Sequence, residues 1–164
     1  FEVSKTSTLA ARGFKNKKPY GEFEQKIIKH LATGKKVNYS IPYSKHYKGT
    51  GDNNLTDGLL GSIENFRDGY YQGFSGTDFE VVIDLGETTT FSSIQTTFFQ
   101  YYLSWIVLPT VVSYAVFEDG KNFTKIETIA NIKKDKKTTP KDLKLDFKFR
   151  ICLVDIIKEA KIQN

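Results

Sequence analysis

The residues of this 164-residue chain that are best suited to chemistry are aromatic and polar side chains in turn-rich segments. The candidates for contact with a ligand are Tyr43, His46, Tyr47, Asn65, Arg67, Tyr70 and Trp105. An aromatic ring offers a flat face to the apolar C–H side of a pyranose, and amide, guanidinium and imidazole groups hydrogen-bond the neighbouring hydroxyls. This combination of residue types favours the recognition of a sugar.

Each of these aromatic residues also has a purely structural interpretation, because a ring can fill the end of a β-sheet core. Trp105 is followed by an apolar run, residues 106–108, and this favours an interior position over contact with a ligand. His46 and Arg67 are stronger candidates for ligand contact, since polar side chains in loops are not needed for packing.

Catalysis finds little support in the sequence. The chain has two histidines and one cysteine, and it shows no nucleophile elbow, no phosphate-binding loop and no paired metal-ligand spacing. Cys152 lies on a predicted strand and has no second cysteine with which to form a disulfide within the chain. We therefore expect no intrinsic enzymatic activity.

The composition, with 39% hydrophobic and 26% charged residues, is that of a globular protein. The net charge is +5, but the lysines are dispersed, and their densest cluster, within residues 133–137, is typical of a solvated loop. No nucleic-acid partner is therefore expected. The loops are rich in Tyr, Asn, Lys and Gly, which suits weak polar recognition better than insertion into a membrane.

Alternating apolar and polar residues predict an all-β chain with little helix. Predicted strands cover residues 37–41, 79–85, 88–99, 111–117, 123–129 and 143–153. A turn is expected at Gly86, and Asp119-Gly120 is expected to form a tight hairpin turn because these residues tolerate positive φ angles. Residues 55–63 are predicted to be a structured loop, since two glycines disfavour a helix there.

The first part of the chain has a separate pattern. Residues 8–14 and 23–28 are typical of two strands, and residues 15–21 between them are typical of a turn. The composition then shifts to small and basic residues, which indicates a boundary near residue 32. We therefore divide the chain into a terminal hairpin, residues 1–31, and a larger β domain, residues 32–164.

From residue 32 onward a series of short sequence words follows in a fixed order. They are Ala32-Thr33-Gly34-Lys35-Lys36-Val37, Tyr47-Lys48-Gly49-Thr50-Gly51, Leu55-Thr56-Asp57-Gly58, Asp68-Gly69-Tyr70-Tyr71-Gln72-Gly73-Phe74, Asp78-Phe79-Glu80-Val81-Val82-Ile83-Asp84-Leu85-Gly86, Ser104-Trp105-Ile106-Val107-Leu108-Pro109 and Glu118-Asp119-Gly120-Lys121-Asn122-Phe123. This order resembles the discoidin, or coagulation factor 5/8 type C, family, and specifically its members attached to bacterial family 20 glycoside hydrolases. Tyr71 stands where many of these relatives have Trp.

The resemblance implies a jelly-roll β-sandwich of about eight strands from residue 36 onward, in which the family's closing strand has no clear counterpart after Asp155. It also implies a non-catalytic module, similar to family 32 carbohydrate-binding modules, that binds glycans carrying galactose or N-acetylhexosamine. Two other functions remain open. One is adhesion to proteins or membranes, as in animal discoidin domains, and the other is a structural appendage without a ligand.

Residues 1–31 resemble the last hairpin of the small β domain that follows the catalytic barrel in chitobiase-type enzymes. This resemblance implies that the chain belongs to a β-N-acetylhexosaminidase whose catalytic domain lies upstream. It further implies an extracellular, cell-surface or periplasmic location.

The discoidin resemblance also implies a structural calcium ion, Ca²⁺, held by Asp57 and Ser62 together with backbone carbonyls. Asp52 and Asn54 are further oxygen donors nearby in the sequence, and hard cations prefer such oxygen-rich loops. The alternative is that Asp57 only caps its own turn. The family's late glutamate ligand has no assigned counterpart in this chain.

Overall fold

The computed structural model describes residues 3–76, 78–117, 122–130, 132 and 140–158. Its seven strands are β1 (Ser7–Lys15), β2 (Lys18–Ile27), β3 (Val37–Tyr39), β4 (Val81–Gln100), β5 (Val111–Phe117), β6 (Thr124–Ala130) and β7 (Lys141–Lys158). Two short 3₁₀ turns, Asn54–Thr56 and Tyr102–Ser104, accompany them. Over the described residues, no helix is long and apolar enough to cross a membrane. The prediction of an all-β chain is confirmed.

Strands β1 and β2 form the predicted hairpin as a separate two-stranded antiparallel sheet. The turn is shorter than predicted. Only Asn16 and Lys17 lie between the strands, and their φ angles are 51° and 63°. Two successive positive φ angles are the signature of the two-residue hairpin turn whose twist matches that of the strands.

The hairpin has one apolar face. The register pairs Ala11 with Phe23 and Ser7 with Ile27, so these residues and Leu9 point to the same side. Leu9 and Phe23 are nevertheless 37% and 49% exposed. A hydrogen bond from the Ile28 N–H to the Gly58 carbonyl, at 2.8 Å, ties the end of the hairpin to the rest of the chain. The origin of this hairpin in a preceding domain stays a prediction.

The other five strands form one antiparallel sheet in the order β3-β4-β7-β5-β6. The predicted turn at Gly86 is wrong, because β4 continues through this residue. Gly86 has a φ angle of 83°, its N–H donates to Asp84 Oδ1 at 2.7 Å, and the register with β7 shifts between Asp84 and Thr89. Gly86 therefore makes a bulge inside one long strand instead of separating two, and five strands follow residue 36 in the described part of the chain.

Strand β7 is longer than the predicted strand over residues 143–153. Its last residues, 156–158, pair with residues 82–84 of β4 on one side and with residues 115–117 of β5 on the other. This end of β7 joins the two halves of the sheet. The expected turn at Asp119-Gly120 and the lysine cluster within residues 133–137 lie outside the described residues.

The core lies between the second half of β4 and the face of β5. Val112, Tyr114 and Val116 alternate along β5 and pack with Phe91 and Ile94 of β4. Because β4 and β5 are not neighbours in the sheet order, these contacts are made between facing layers. Full burial of each of these apolar side chains contributes about 1.5–3 kcal/mol. The described chain is thus a β-sandwich.

One polar contact crosses this core. The hydroxyl groups of Thr96 and Tyr114 lie 2.6 Å apart, so the otherwise buried phenol of Tyr114 has a hydrogen-bond partner. Burial raises the pKa of Tyr114, and the bond to Thr96 opposes this shift. The contact links β4 to β5 across the core.

Candidate functional site

Two loop segments between β3 and β4 carry most of the predicted site. The first rim segment comprises residues 43–49 and the second comprises residues 62–71. Backbone hydrogen bonds from the Ser44 N–H to the Gly73 carbonyl, at 2.7 Å, and from the Gly73 N–H to the Tyr47 carbonyl, at 2.9 Å, hold the first segment. A Cβ at position 73 would lie 2.9 Å from Cβ of Tyr47, so this close approach requires glycine.

The second rim segment is folded around the carboxylate of Asp68. One oxygen accepts a hydrogen bond from the Ser62 N–H at 2.5 Å, and the other accepts one from the Tyr70 N–H at 2.9 Å. The Asn65 side chain accepts from the Arg67 N–H at 3.2 Å. Short polar side chains that bond their own backbone in this way define turns without regular secondary structure. They fix where the neighbouring side chains point.

The two segments enclose a cavity of about 570 Å³. Its lining consists of Lys45, His46, Tyr47, Lys48, Gly49, Phe66, Arg67, Gly69 and Tyr71. The structure therefore brings together three of the residues predicted from the sequence, His46, Tyr47 and Arg67. We call this the rim cavity.

Aromatic packing supports the rim cavity from below. The Phe66 ring lies 6.2 Å from the Tyr47 ring and 5.7 Å from the Tyr101 ring, and it stacks on Phe99 at 5.9 Å. The Tyr71 ring lies 4.7 Å from Phe99. These rings connect the cavity to Phe99, a buried residue of β4. The aromatic surface is therefore anchored in the sandwich instead of lying on a free loop.

The polar groups of the rim cavity are exposed. Arg67 lies over the Phe66 ring, with 5.4 Å between Cζ and the ring centroid, which is a cation–π distance. Lys45, His46 and Lys48 are exposed as well. Sequence reasoning had not selected Lys45, Lys48, Phe66 and Tyr71 as site residues. The two lysines flank His46 and Tyr47 in the sequence, and this proximity to two predicted contact residues could have indicated that they belong to the same site.

Four predicted residues do not line the cavity: Tyr43, Asn65, Tyr70 and Trp105, the last of which is described below. Tyr43 lies in a neighbouring groove, which is described below. Asn65 accepts the backbone hydrogen bond from Arg67 and thereby shapes the loop. Tyr70 is half-buried, and its backbone is held by Asp68. Tyr43, Asn65 and Tyr70 belong to the two rim segments but do not line the cavity, and their role in ligand contact stays a prediction.

The neighbouring groove has a volume of about 460 Å³ and is lined by Val37, Asn38, Tyr39, Ile41, Pro42, Tyr43 and Asp52. We call it the tyrosine groove. The Tyr43 hydroxyl donates to Asp52 Oδ1 at 2.6 Å, and this hydrogen bond raises the pKa of Tyr43. The Tyr39 hydroxyl lies 2.8 Å from Gln72 Oε1 and 3.1 Å from the Asp52 carbonyl oxygen. Burial raises the pKa of Tyr39 to about 12.

Trp105 is not in the core. Its side chain is 89% exposed, so the favoured interior position is wrong. Tyr101 and Ile106 form a β-bridge, and the residues between them form a 3₁₀ turn that ends at Trp105 in the left-handed conformation, with φ of 58°. This reversal turns the indole outward. Leu103 on the same turn is 60% exposed, so this apolar stretch forms an exposed loop instead of entering the core.

The predicted calcium ligands are engaged in loop contacts. Asp57 accepts hydrogen bonds from the Thr50 hydroxyl at 2.5 Å and from the Leu59 N–H at 2.8 Å. Ser62 donates its N–H to Asp68 and accepts from the Glu64 N–H. Within the described ranges, no three His, Cys, Asp or Glu side chains gather to hold a metal ion. Asp57 thus has the turn-capping geometry of the alternative interpretation, and calcium binding stays a prediction.

Asn54 and Asp52, the two further oxygen donors, also have partners. Asn54 Oδ1 accepts from the Thr50 N–H at 2.8 Å, whereas Asp52 accepts from Tyr43. Near this loop, partial desolvation lowers the pKa of His30, and the negative charge of Asp57 opposes that shift.

Comparison with known proteins gives similarity in structure only. The sequence matches no protein-family model and no curated protein. Its structure is similar to chitosan-binding module 2 of a chitosanase/glucanase from Paenibacillus sp. IK-5, in complex with chitotriose, with a TM-score of 0.52 and 15% identity over 81% of this chain and 87% of that one. Chitosan-binding module 1 of the same enzyme gives 0.50 and 13% over 80% and 85%.

The C-terminal domain of a chitobiase from Bacteroides fragilis gives a TM-score of 0.39, with 18% identity over 77% of this chain and 81% of that one. At such identities a likeness reports on architecture alone. The similarity to the two chitosan-binding modules shows that the chain has their fold, a β-sandwich.

Proposed function

We propose that the chain is a non-catalytic carbohydrate-binding module. One observation carries the proposal: in the rim cavity, the aromatic side chains Tyr47, Phe66 and Tyr71 lie beside the polar groups of His46 and Arg67. Recognition of a sugar needs an apolar face together with planar hydrogen-bonding groups. The two modules of similar fold support the proposal, since both are chitosan-binding and one is in complex with chitotriose.

A sugar ring in this cavity lies with its C–H face toward the aromatic side chains, while Arg67 and His46 hydrogen-bond its hydroxyls. Arg67 already rests over Phe66, so part of the cost of ordering its side chain is met before binding. The polar residues of the cavity are exposed, so a single sugar buries only part of its surface on binding. Millimolar affinity, about 4 kcal/mol of binding free energy, is expected.

The ligand that we propose is a glycan carrying galactose or N-acetylhexosamine. The module would target a glycoside hydrolase of the chitobiase type to such glycans outside the cytoplasm, on the cell surface or in the periplasm. The order of the sequence words in residues 32–123, together with the hairpin of residues 1–31, supports this assignment. The described residues that line the cavity include no paired carboxylates for glycosidic bond cleavage, so binding is the chemistry that they offer.

The test is an NMR titration of the wild-type chain with galactose, N-acetylgalactosamine and N-acetylglucosamine. Chemical shift changes are expected at residues 45–49 and 66–71. Arg67→Ala removes a potentially bidentate donor and should weaken binding several-fold while leaving the folded spectrum intact. Arg12→Ala is the matched control, because Arg12 forms an exposed ion pair with Glu22 on the hairpin, away from the cavity.

Two results would contradict the assignment. Shift changes far from the rim cavity would place the sugar elsewhere on the sandwich. Equal losses in Arg67→Ala and Arg12→Ala would show that only the net charge matters.

The protruding apolar loop favours a second candidate function, adhesion to a membrane surface. Leu103 and Trp105 are 60% and 89% exposed, and isolated side chains of this size on a loop suit insertion between lipid headgroups. Trp105 is the only tryptophan in the chain, so its fluorescence reports on this loop alone. A blue shift of the emission on addition of phosphatidylcholine or phosphatidylserine vesicles, absent in Leu103→Ser, would favour adhesion. Unchanged emission would exclude it and leave the carbohydrate-binding proposal in place.

A further inference from the structure

We infer that the glycan bound in the rim cavity carries an anionic group, a carboxylate or a sulfate ester, next to the sugar ring that contacts the aromatic residues. The inference rests on the proposed carbohydrate-binding function and narrows the class of ligand. It follows from the charges that line the cavity and from the positions of the carboxylates in the same loops.

The polar lining of the rim cavity is cationic. Lys45, Lys48 and Arg67 line it together with the imidazole of His46, and the described lining includes no aspartate or glutamate. In the part of the chain that the structure describes, none of the three cations forms an ion pair. Three positive charges around one concavity attract an anion and repel a cation.

The carboxylates of these loops are used elsewhere. Asp68, next to Arg67 in the sequence, accepts hydrogen bonds from two backbone N–H groups of its own segment. Asp57 accepts from Thr50 and Leu59, and Asp52 accepts from Tyr43. These three carboxylates keep their charge but are held in contacts within the loops. Neither they nor Glu64, the exposed carboxylate of the second rim segment, line the cavity, whereas the three cations do.

The geometry suits a sugar acid better than a free anion. Arg67 lies over the Phe66 ring, and the Tyr47 ring lies 6.2 Å from it, so a pyranose that contacts Tyr47 brings its substituents close to the guanidinium group. A carboxylate or sulfate there can accept two parallel hydrogen bonds from arginine. A free phosphate ion would contact the cations but would make no use of the aromatic side chains that line the same cavity.

This ligand class differs from that of the chitosan-binding modules of similar fold. Chitosan is a polymer of glucosamine, whose amino groups are largely protonated in weakly acidic solution. A cationic polymer is disfavoured beside Lys45, Lys48 and Arg67. We therefore expect glucosamine to bind more weakly than N-acetylglucosamine, and an acidic sugar to bind more tightly than its neutral counterpart.

The experiment compares matched sugars by NMR titration of the full chain. One pair is methyl galactoside and methyl galacturonoside, which differ only in a hydroxymethyl and a carboxylate group. The other pair is N-acetylglucosamine and its 6-sulfate. Each exposed ion pair strengthens binding only a few-fold. In at least one of the two sugar pairs, the acidic sugar is therefore expected to bind about tenfold more tightly than the neutral one at low salt. The advantage should shrink to about twofold in 1 M salt, where charges are screened within about 3 Å.

A double variant separates charge from folding. Lys45→Gln with Lys48→Gln removes two cations from the rim cavity and leaves its rings unchanged, so affinity for the acidic sugar should fall toward that of the neutral sugar. The readout is the ratio of the two affinities, because a loss of lysine contacts shared by both sugars cancels in it. Lys5→Gln with Lys26→Gln is the control, because both lysines are exposed and lie in or next to the hairpin.

The outcomes separate this inference from the proposed function. Equal binding of acidic and neutral sugars at the rim cavity overturns the inference and leaves the carbohydrate-binding proposal standing. Binding of no sugar overturns both. Binding to phosphatidylserine vesicles without binding of either acidic sugar also overturns the inference, because the cations would then serve a lipid surface. An acidic preference that the Lys45/Lys48 double variant abolishes and the control retains supports it.

Discussion

The rim cavity and the tyrosine groove lie on adjoining loops, and both combine aromatic rings with polar groups. They differ in what their polar groups contact. In the tyrosine groove, Tyr43 donates to Asp52 and the Tyr39 hydroxyl lies between Gln72 and a backbone carbonyl. In the rim cavity, the Arg67 guanidinium lies over an aromatic ring and has no hydrogen bond or ion pair among the described residues, and the lysines are exposed.

This difference indicates a division of roles. A polar group with a partner inside the chain stabilises the folded state, and a ligand must break that contact to use the group. A polar group without such a partner costs the folded state little and is available to a ligand. We therefore expect substitutions in the tyrosine groove to lower stability and substitutions of the rim cations to lower binding.

The largest expected effect comes from Gly61, which underlies the rim cavity. A Cβ at this position would overlap the Tyr71 ring, and that ring is packed on Phe99. Gly61→Ala should therefore lower the free energy of unfolding by about 1–3 kcal/mol, the usual cost of overpacking, and should also weaken sugar binding. Urea unfolding and NMR titration measure the two effects.

Gly21→Ala is the control for that substitution. No atom lies within 4 Å of a Cβ at position 21, and the residue has no positive φ angle. If Gly61→Ala lowered the free energy of unfolding no more than this control, the Tyr71 ring would be able to move aside. The position of Tyr71 in the rim cavity would then not be fixed by packing.

Asp57 should be the next most sensitive position, because its carboxylate accepts two hydrogen bonds. Asp57→Ala leaves the Thr50 hydroxyl and the Leu59 N–H without this acceptor, and it should lower the free energy of unfolding by about 1–2 kcal/mol. Asp57→Asn keeps one acceptor oxygen and should lose less.

The same measurement, made with calcium and with EDTA, tests the predicted ion. If Asp57 only caps its turn, wild-type stability is the same in both solutions. A calcium-dependent gain that Asp57→Asn abolishes would instead establish the ion, and Asp57 would then join the groups that serve a ligand.

Replacement of Tyr39 should have a smaller effect. Tyr39→Phe removes the hydroxyl that contacts Gln72 and Asp52 but keeps the ring, which packs against Tyr43 and Phe74. The loss of one net hydrogen bond lowers the free energy of unfolding by about 1 kcal/mol. Sugar binding should stay unchanged. A loss of binding without a loss of stability would reverse the roles assigned to the two surfaces.

The strands could be predicted from the sequence because alternation is a local property, and each predicted strand matches part of an observed one. The continuity of β4 through Gly86 could not be predicted from the sequence. Gly86 is compatible with a turn or a bulge, and the choice depends on pairing with β7, which is distant in the sequence. Two predicted strands, residues 79–85 and 88–99, therefore form one strand in the structure.

The candidate site was also predicted only in part. His46, Tyr47 and Arg67 could be predicted because polar and aromatic residues in turn-rich loops have no evident packing role. Trp105 was misplaced because an apolar sequence does not signal the left-handed residue that ends its turn. The partners of Asn65 and Tyr43 are set by loop geometry, so their commitment to contacts within the chain was not visible in the sequence.

The smallest expected effect is the alkaline titration of Tyr39. Burial raises its pKa from 10.0 to about 12 in the folded chain, so the folded state holds this proton more tightly than the unfolded state. Its contribution to stability is then complete below pH 10 and is lost as the pH rises through about 12. Absorbance of tyrosinate, recorded between these limits, should show a late-titrating phase in the wild type that is diminished in Tyr39→Phe. Far-ultraviolet circular dichroism at each pH verifies that the chain is still folded. An unchanged late phase in the variant would assign it to another buried phenol, such as Tyr114, and would mean that the tyrosine groove is as open to water as the rim cavity.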